Sequence, residues 1–214
     1  MSESDSFIDE VTEEVRRDRL FALMRRYGWI GVLAVVLIVG GAGVNEWRKA
    51  RAEARAQAFG DAVIAAMAAE DRAAALAAVP ADGAQAGLVN MLTAAAMLEA
   101  DDPAATRAAL QAVAVDATQP ETLRALAQLK LVMLQGAEID PALRDATFSE
   151  LAAPGAPFRL LAIEQQALVL LQAGDTDAAV ARLQQLLQEP ELTPGLQQRV
   201  AEVMVALGVD PAAQ

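Results

Sequence analysis

The chain has 214 residues, one to two domains' worth, and carries 17 Lys and Arg against 29 Asp and Glu, a formal net charge of −12. It contains no His and no Cys, which excludes disulfides, Cys–His zinc sites, His-ligated haem, thiol nucleophiles and Ser–His–Asp or Cys–His catalysis. Beyond residue 46 there is one Ser, Ser149, outside any S-x-x-K motif, no Tyr, and only Lys49 and Lys130 as lysines, so carboxylates are the acid–base groups that remain. The composition argues against an enzyme. No cofactor, metal or small-molecule substrate is expected. Charge is uneven: net −2 over residues 1–26, +2 over 46–60 and −12 over 61–214. An acidic distal part repels nucleic acid and anionic lipid, which bind through cationic patches, so no nucleic-acid partner is expected.

In chain order, residues 1–5 are polar and 6–26 read as a short amphipathic helix. Ser6 followed by Asp9 gives a start like a capping box. Asp9, Glu10, Glu13 and Glu14 come early and Arg16, Arg17, Arg19, Arg25 and Arg26 late, the order that complements the helix dipole. Glu13 and Arg17 form an i,i+4 pair, and Phe7, Ile8, Val11, Val15, Leu20 and Leu23 fall on one side. The pattern fits a helix resting on a membrane surface, one docked on a partner's cytoplasmic loop, and a solvated helix alike.

No charge occurs between Arg26 and Glu46. Residues 27–45, read as a helix, span roughly 28 Å, close to a hydrocarbon core of about 30 Å. Tyr27 and Trp29 stand at one end and Trp47 at the other, and these are all the Tyr and Trp residues of the chain. Aromatic rings at both headgroup levels form the belt that a membrane span predicts. Arg25, Arg26, Arg48 and Lys49 flank the span and can snorkel. A buried core helix would carry charge and would not gather the aromatics at its ends. A cleaved signal peptide would have a shorter apolar run and a less acidic approach. The segment therefore reads as a retained signal anchor contacting the bilayer. Five Arg on one side and four basic residues on the other are too even a bias to orient it.

Residues 46–57 form a helical juxtamembrane linker, continuing the membrane helix outward with Gly60 as a weak point. From 58 to 214 the chain reads as helical repeats. Leu160 to Gln188 overlays Gly87 to Val115 at a shift of 73 residues, pairing Leu171 with Leu98, Ala173 with Ala100, Asp175 with Asp102 and Leu183 with Leu110. A third copy runs from Leu123 to Leu151 with two extra residues at its turn, and a weaker fourth from Ala58 to Val79. An acid opens each second helix: Asp71, Asp102, Asp140 and Asp175, at spacings near 34 residues, the tetratricopeptide period. Each is placed to cap its helix by accepting backbone N–H groups, which accounts for Asp101-Asp102 and Asp175-x-Asp177 better than a pair of catalytic carboxylates does. Gly174 to Leu183 carries the second-helix signature of such repeats, whereas the first-helix aromatics are missing. Pro194 to Leu207 reads as a closing cap. The expected fold is all-α: one N-terminal transmembrane helix, then a TPR-like solenoid of about four helix pairs. Arg124 and Arg159 lie on first helices, where a concave face would bind other proteins, although solvated charge is the commoner role for such residues.

The stretch from Asp5 to Ala50, DSFIDEVTEEVRRDRLFALMRRYGWIGVLAVVLIVGGAGVNEWRKA, followed by degenerate repeats, resembles the YfgM-type ancillary Sec-translocon subunit family in an alphaproteobacterial form. The resemblance covers essentially the whole chain and is strongest over residues 5–60. It implies a single-pass bacterial inner-membrane protein, its N-terminus cytoplasmic and its repeat domain periplasmic. The partners implied are Sec translocon subunits, periplasmic chaperones and exported client proteins. It carries over no catalytic residue. A structural subunit or assembly factor of another membrane complex has the same architecture.

Overall fold

A computed structural model describes residues 3–211, with the side chains of residues 3–23, 27, 28, 32 and 137 excepted. Among the described residues every regular element is helical. The helix α1 covers Glu3–Met67, followed by α2 (Arg72–Ala77), α3 (Gly83–Glu99), α4 (Pro103–Val115) and α5 (Glu121–Gln135). A 3₁₀ turn, Gly136–Glu138, leads to α6 (Pro141–Leu151), α7 (Arg159–Gln172), α8 (Thr176–Leu187) and α9 (Pro194–Ala206).

The chain divides into two compact units, 1–58 and 59–214. In the first, α1 already includes Ser6, so Ser6 is not the helix N-cap that its spacing to Asp9 suggested. The helix also runs through Gly60 without a break. Glycine in a helix costs about 1 kcal/mol, and the Ala-rich turns on either side, with several of the best helix formers, offset it.

In the second unit the breaks between helices are chemical. Pro103, Pro141 and Pro194 stand at the first helical position, where their missing N–H is no loss. Two turns repeat atom for atom at the 73-residue shift. After α3, the Asp101 and Asp102 N–H groups donate to the carbonyls of Leu98 and Met97; after α7, those of Gly174 and Asp175 donate to Leu171 and Leu170. Both close the helix with a left-handed residue, Gly174 at φ 82° and Asp101 at φ 58°. Aspartate tolerates that region better than most L-residues, though less well than glycine.

Packing follows the chain order of a solenoid. One core cluster joins Met91 and Ala94 of α3, Leu110 and Val113 of α4, and Ala127 and Leu131 of α5. The next uses the other side of α5, with Ala125, Leu129 and Val132, against Phe148 and Leu151 of α6 and Ala162 of α7. The third joins Ile163 and Ala167 of α7, Leu183 and Leu186 of α8, and Leu196, Val200 and Met204 of α9. Ala127, Ala162, Ala167 and Ala179 are all fully buried. Alanine there lets helices approach closely while Leu183 and Leu186 fill the space alongside. The two extra residues of the third copy are absorbed by the 3₁₀ turn, which leaves Ile139 buried in the second cluster.

Candidate interaction surface

Two hollows adjoin on the repeat unit. One, of about 570 Å³, is lined by Leu129 and Met133 of α5, Leu161, Glu164 and Leu168 of α7, and Arg199, Glu202 and Val203 of α9. The other, of similar volume, lies among Met91 and Leu98 of α3, Thr106 and Leu110 of α4, and Lys130, Met133 and Leu134 of α5. Met133, half exposed, belongs to both. The linings come mainly from α3, α5, α7 and α9, the first helices of the pairs and the closing helix. They are largely apolar, with a few charged groups.

The most deeply set polar group in the first hollow is Glu164, only 7 % exposed. Arg199 satisfies it with two parallel bonds, Nε to Oε1 at 3.0 Å and Nη2 to Oε2 at 2.9 Å. Such a fork fixes orientation as well as charge, and here it ties α7 to α9. The hydrogen bonds to Glu164, and after them its charge, hold the Arg199 guanidinium protonated beyond its already high ordinary pKa. Other pairs cross between neighbouring repeats: Arg107 to Glu138 at 3.4 Å and Arg72 to Glu99 at 2.9 Å.

Arg159 belongs to this set. Its Nη2 lies 2.6 Å from Glu189 Oε1, and both side chains are about a quarter exposed. Neither Arg159 nor Arg124 lines either hollow. Arg124 is half-buried, its Nε has no hydrogen-bond partner, and its charge acts on Asp116. The cations that do reach the hollows are Lys130 and Arg199. A signal for the cross-repeat pairs was present in the sequence: an Arg and a carboxylate 30 to 35 residues apart, about one repeat, as in Arg159–Glu189 and Glu164–Arg199.

At the repeat turns, Asp71, Asp102 and Asp175 each accept a bond from the backbone N–H three residues on, those of Ala74, Ala105 and Ala178. Asp140 accepts two, from Ala142 and Leu143. These carboxylates are occupied with helix ends. Among the described residues no group of three or more His, Cys, Asp or Glu is arranged to hold a metal.

In the first unit, α1 is long and apolar enough to cross a membrane, with a mean hydropathy of 1.8 over its most apolar window. Leu33, Val36, Leu37, Ile38 and Val39 are all exposed. Arg25, Arg26, Trp29, Trp47, Arg48 and Lys49 are exposed at either end of this stretch, while the side chain of Tyr27 lies outside the described residues. Arg51 places its guanidinium carbon 4.8 Å from the centre of the Trp47 ring, within cation–π range.

Helix pairs joined by capped turns, sharing core clusters only with their neighbours, define an α-helical repeat protein. More narrowly, residues 24–154 match the family model of the tetratricopeptide repeat-like domain, and the chain belongs to that family. The matched part begins just before the apolar stretch of α1 and ends between α6 and α7. Comparisons with curated proteins and with solved structures each gave no match. Repeat domains of this kind serve as protein-interaction modules.

Proposed function

We propose that the protein is a membrane-anchored interaction module, an ancillary subunit of the Sec translocon that assists exported proteins and periplasmic chaperones at the bacterial inner membrane. In this reading residues 27–45 form the single span, residues 1–26 are cytoplasmic and residues 58–214 are periplasmic. The observation that carries it is the extent of the family match, which runs unbroken from Met24 through the apolar stretch into the repeats. The matched region takes in the apolar stretch together with the repeats as far as residue 154. The resemblance of residues 5–60 to the translocon subunits narrows the class, and the two apolar hollows supply a surface for protein segments. Tethering the repeats to the membrane raises their effective concentration beside any membrane partner. Arg25, Arg26, Tyr27, Trp29, Trp47, Arg48 and Lys49 would hold the span at the two interfaces.

Photo-crosslinking from Val36 in the span and Val15 before it, in native membranes, tests this reading. Adducts to translocon subunits are expected. Reproducible adducts to a different membrane complex, with no translocon signal, would overturn it in favour of an accessory subunit of that complex.

A further inference from the structure

We propose that Trp47, Arg48, Arg51 and Arg55 form a binding face on α1 for the phosphate groups of anionic phospholipids, at the rim of the bilayer next to Asn45. The proposal rests on the reading of residues 27–45 as a membrane span.

Three observations support it. The first is angular. At roughly 100° per residue, Arg48, Arg51 and Arg55 fall within about 60° of one another around the helix, with Trp47 beside them. Glu46 and Glu53 fall on the opposite side, together with Lys49. A segment that looks like mixed charge in sequence therefore becomes, once helical, a purely cationic face. The second is the direction of Arg51. Helical side chains tilt toward the N-terminus, and here that is toward the apolar stretch. Arg51 follows this tilt back one turn, to 4.8 Å from the Trp47 ring, which brings its charge to the level where tryptophan prefers the headgroup region. The third is the lack of competing partners. In the repeat unit, Arg72, Arg107, Arg144, Arg159 and Arg199 all pair with carboxylates. Arg48, Arg51 and Arg55 are exposed and have no carboxylate partner among the described residues.

The chemistry selects phosphate. A guanidinium presents a planar fork that meets two phosphate oxygens at once, which a lysine ammonium does not. Along the axis, Arg48 to Arg55 cover about 10 Å. That is somewhat more than the headgroup layer of about 5–8 Å implied by the bilayer dimensions. Counted from Asn45, the backbone of Arg48 lies about 4.5 Å along the axis, that of Arg51 about 9 Å and that of Arg55 about 15 Å; with side chains tilted back toward the span, Arg48 and Arg51 reach the layer and Arg55 ends just outside it.

The test uses the full chain carrying Trp29→Phe, so that Trp47 is the only indole, reconstituted in mixed bilayers. Quenching of Trp47 by brominated phosphatidylglycerol is compared with quenching by brominated phosphatidylcholine at equal mole fraction. The ratio cancels any direct effect of Arg51 on the ring. The expected result is enrichment of the anionic lipid around Trp47, falling by up to about fivefold for each of Arg48→Gln, Arg51→Gln and Arg55→Gln at low salt. Lys49→Gln is expected to change it least. Equal quenching by the two lipids, or a loss with Lys49→Gln as large as with Arg51→Gln, would overturn the site while leaving the span in place. No quenching by either lipid would overturn the span itself, and the site with it.

Discussion

Leu37 and Ile38 in α1 leave 66 % and 71 % of their surface uncovered, while Leu183 and Leu186 in α8 leave 0 % and 1 %. The residue types are the same and the spacing differs. In α8, Ala179, Leu183 and Leu186 recur every three or four positions, so one face can be buried while Gln184 and Arg182 meet water or polar neighbours. Between Leu33 and Val39 every position is apolar, so no rotation of the helix offers water a polar face. Patterning rather than composition separates a helix that builds a core from one that is long and apolar enough to cross a membrane. The arginines differ in a similar way: Arg72, Arg107, Arg144, Arg159 and Arg199 of the repeats pair with carboxylates, and Arg48, Arg51 and Arg55 just after the apolar stretch have no carboxylate partner among the described residues.

The largest effect should come from placing charge in the uncovered stretch. Val36→Asp with Leu37→Asp costs about 3 kcal/mol per residue on insertion, and the chain is expected to move from the membrane pellet to the soluble fraction on ultracentrifugation. Retention in the membrane would break the comparison. On the covered side, Leu183→Ala removes a fully buried side chain and is expected to lower stability by about 3 kcal/mol. Urea unfolding followed by circular dichroism would read this, with membrane association unchanged. Asp102→Ala removes the carboxylate that accepts from Ala105 N–H and should cost about 1 kcal/mol in the same assay, with Asp140→Ala at least as costly because two bonds are lost. Asp101→Gly should instead stabilise, by about 0.5 kcal/mol, because it gives the turn after α3 the residue already present after α7. A melting temperature that falls would show that the Asp101 side chain has a further role.

The smallest effect concerns pH. Hydrogen bonds from Gln119 first, then from Thr118, lower the pKa of Asp116 below its ordinary value of 3.8. A depressed carboxyl pKa stabilises the fold above the unfolded value, and that contribution is lost as pH falls through the folded one. Asp116→Asn should therefore flatten the acid limb of the stability curve below about pH 4, a change measurable by thermal melts in an acid series.

Much of the fold was legible because its punctuation is local. Asp71, Asp102, Asp140 and Asp175 cap, Pro103, Pro141 and Pro194 open helices, and a period near 34 residues links them. Each cap and each proline acts within one helical turn, so the sequence displays it directly. The interaction surface was less legible because its residues meet across repeats. Glu164 and Arg199 are joined by a fold that brings α7 beside α9, and Met133 gains its place in two hollows from neighbours on both sides. Arg159 lies on a first helix, and its guanidinium meets Glu189, 30 residues on, a pairing that appears only once the repeats stack. Ser6 had the spacing of a cap, but helical residues precede it. Gly60 reads as a weak point of the helix, and its alanine-rich surroundings outweigh it.

Gly87 has a consequence for assembly. A Cβ there would stand 2.1 Å from Gln119 Oε1 and 2.6 Å from Leu123 Cδ2. Gln119 is itself fixed across the start of α3 by bonds from its Nε2 to the Gly83 carbonyl and to Asp116. The corresponding positions of the other clear copies are Leu123 and Leu160, whose branched side chains would be driven into the same amide. In an array of similar modules, a helix can mistake a neighbour's berth for its own, as when two chains exchange elements during folding. Gly87 thus lets α3 lie closer to the Gln119 corner than a helix with leucine at that position could without displacing the Gln119 amide.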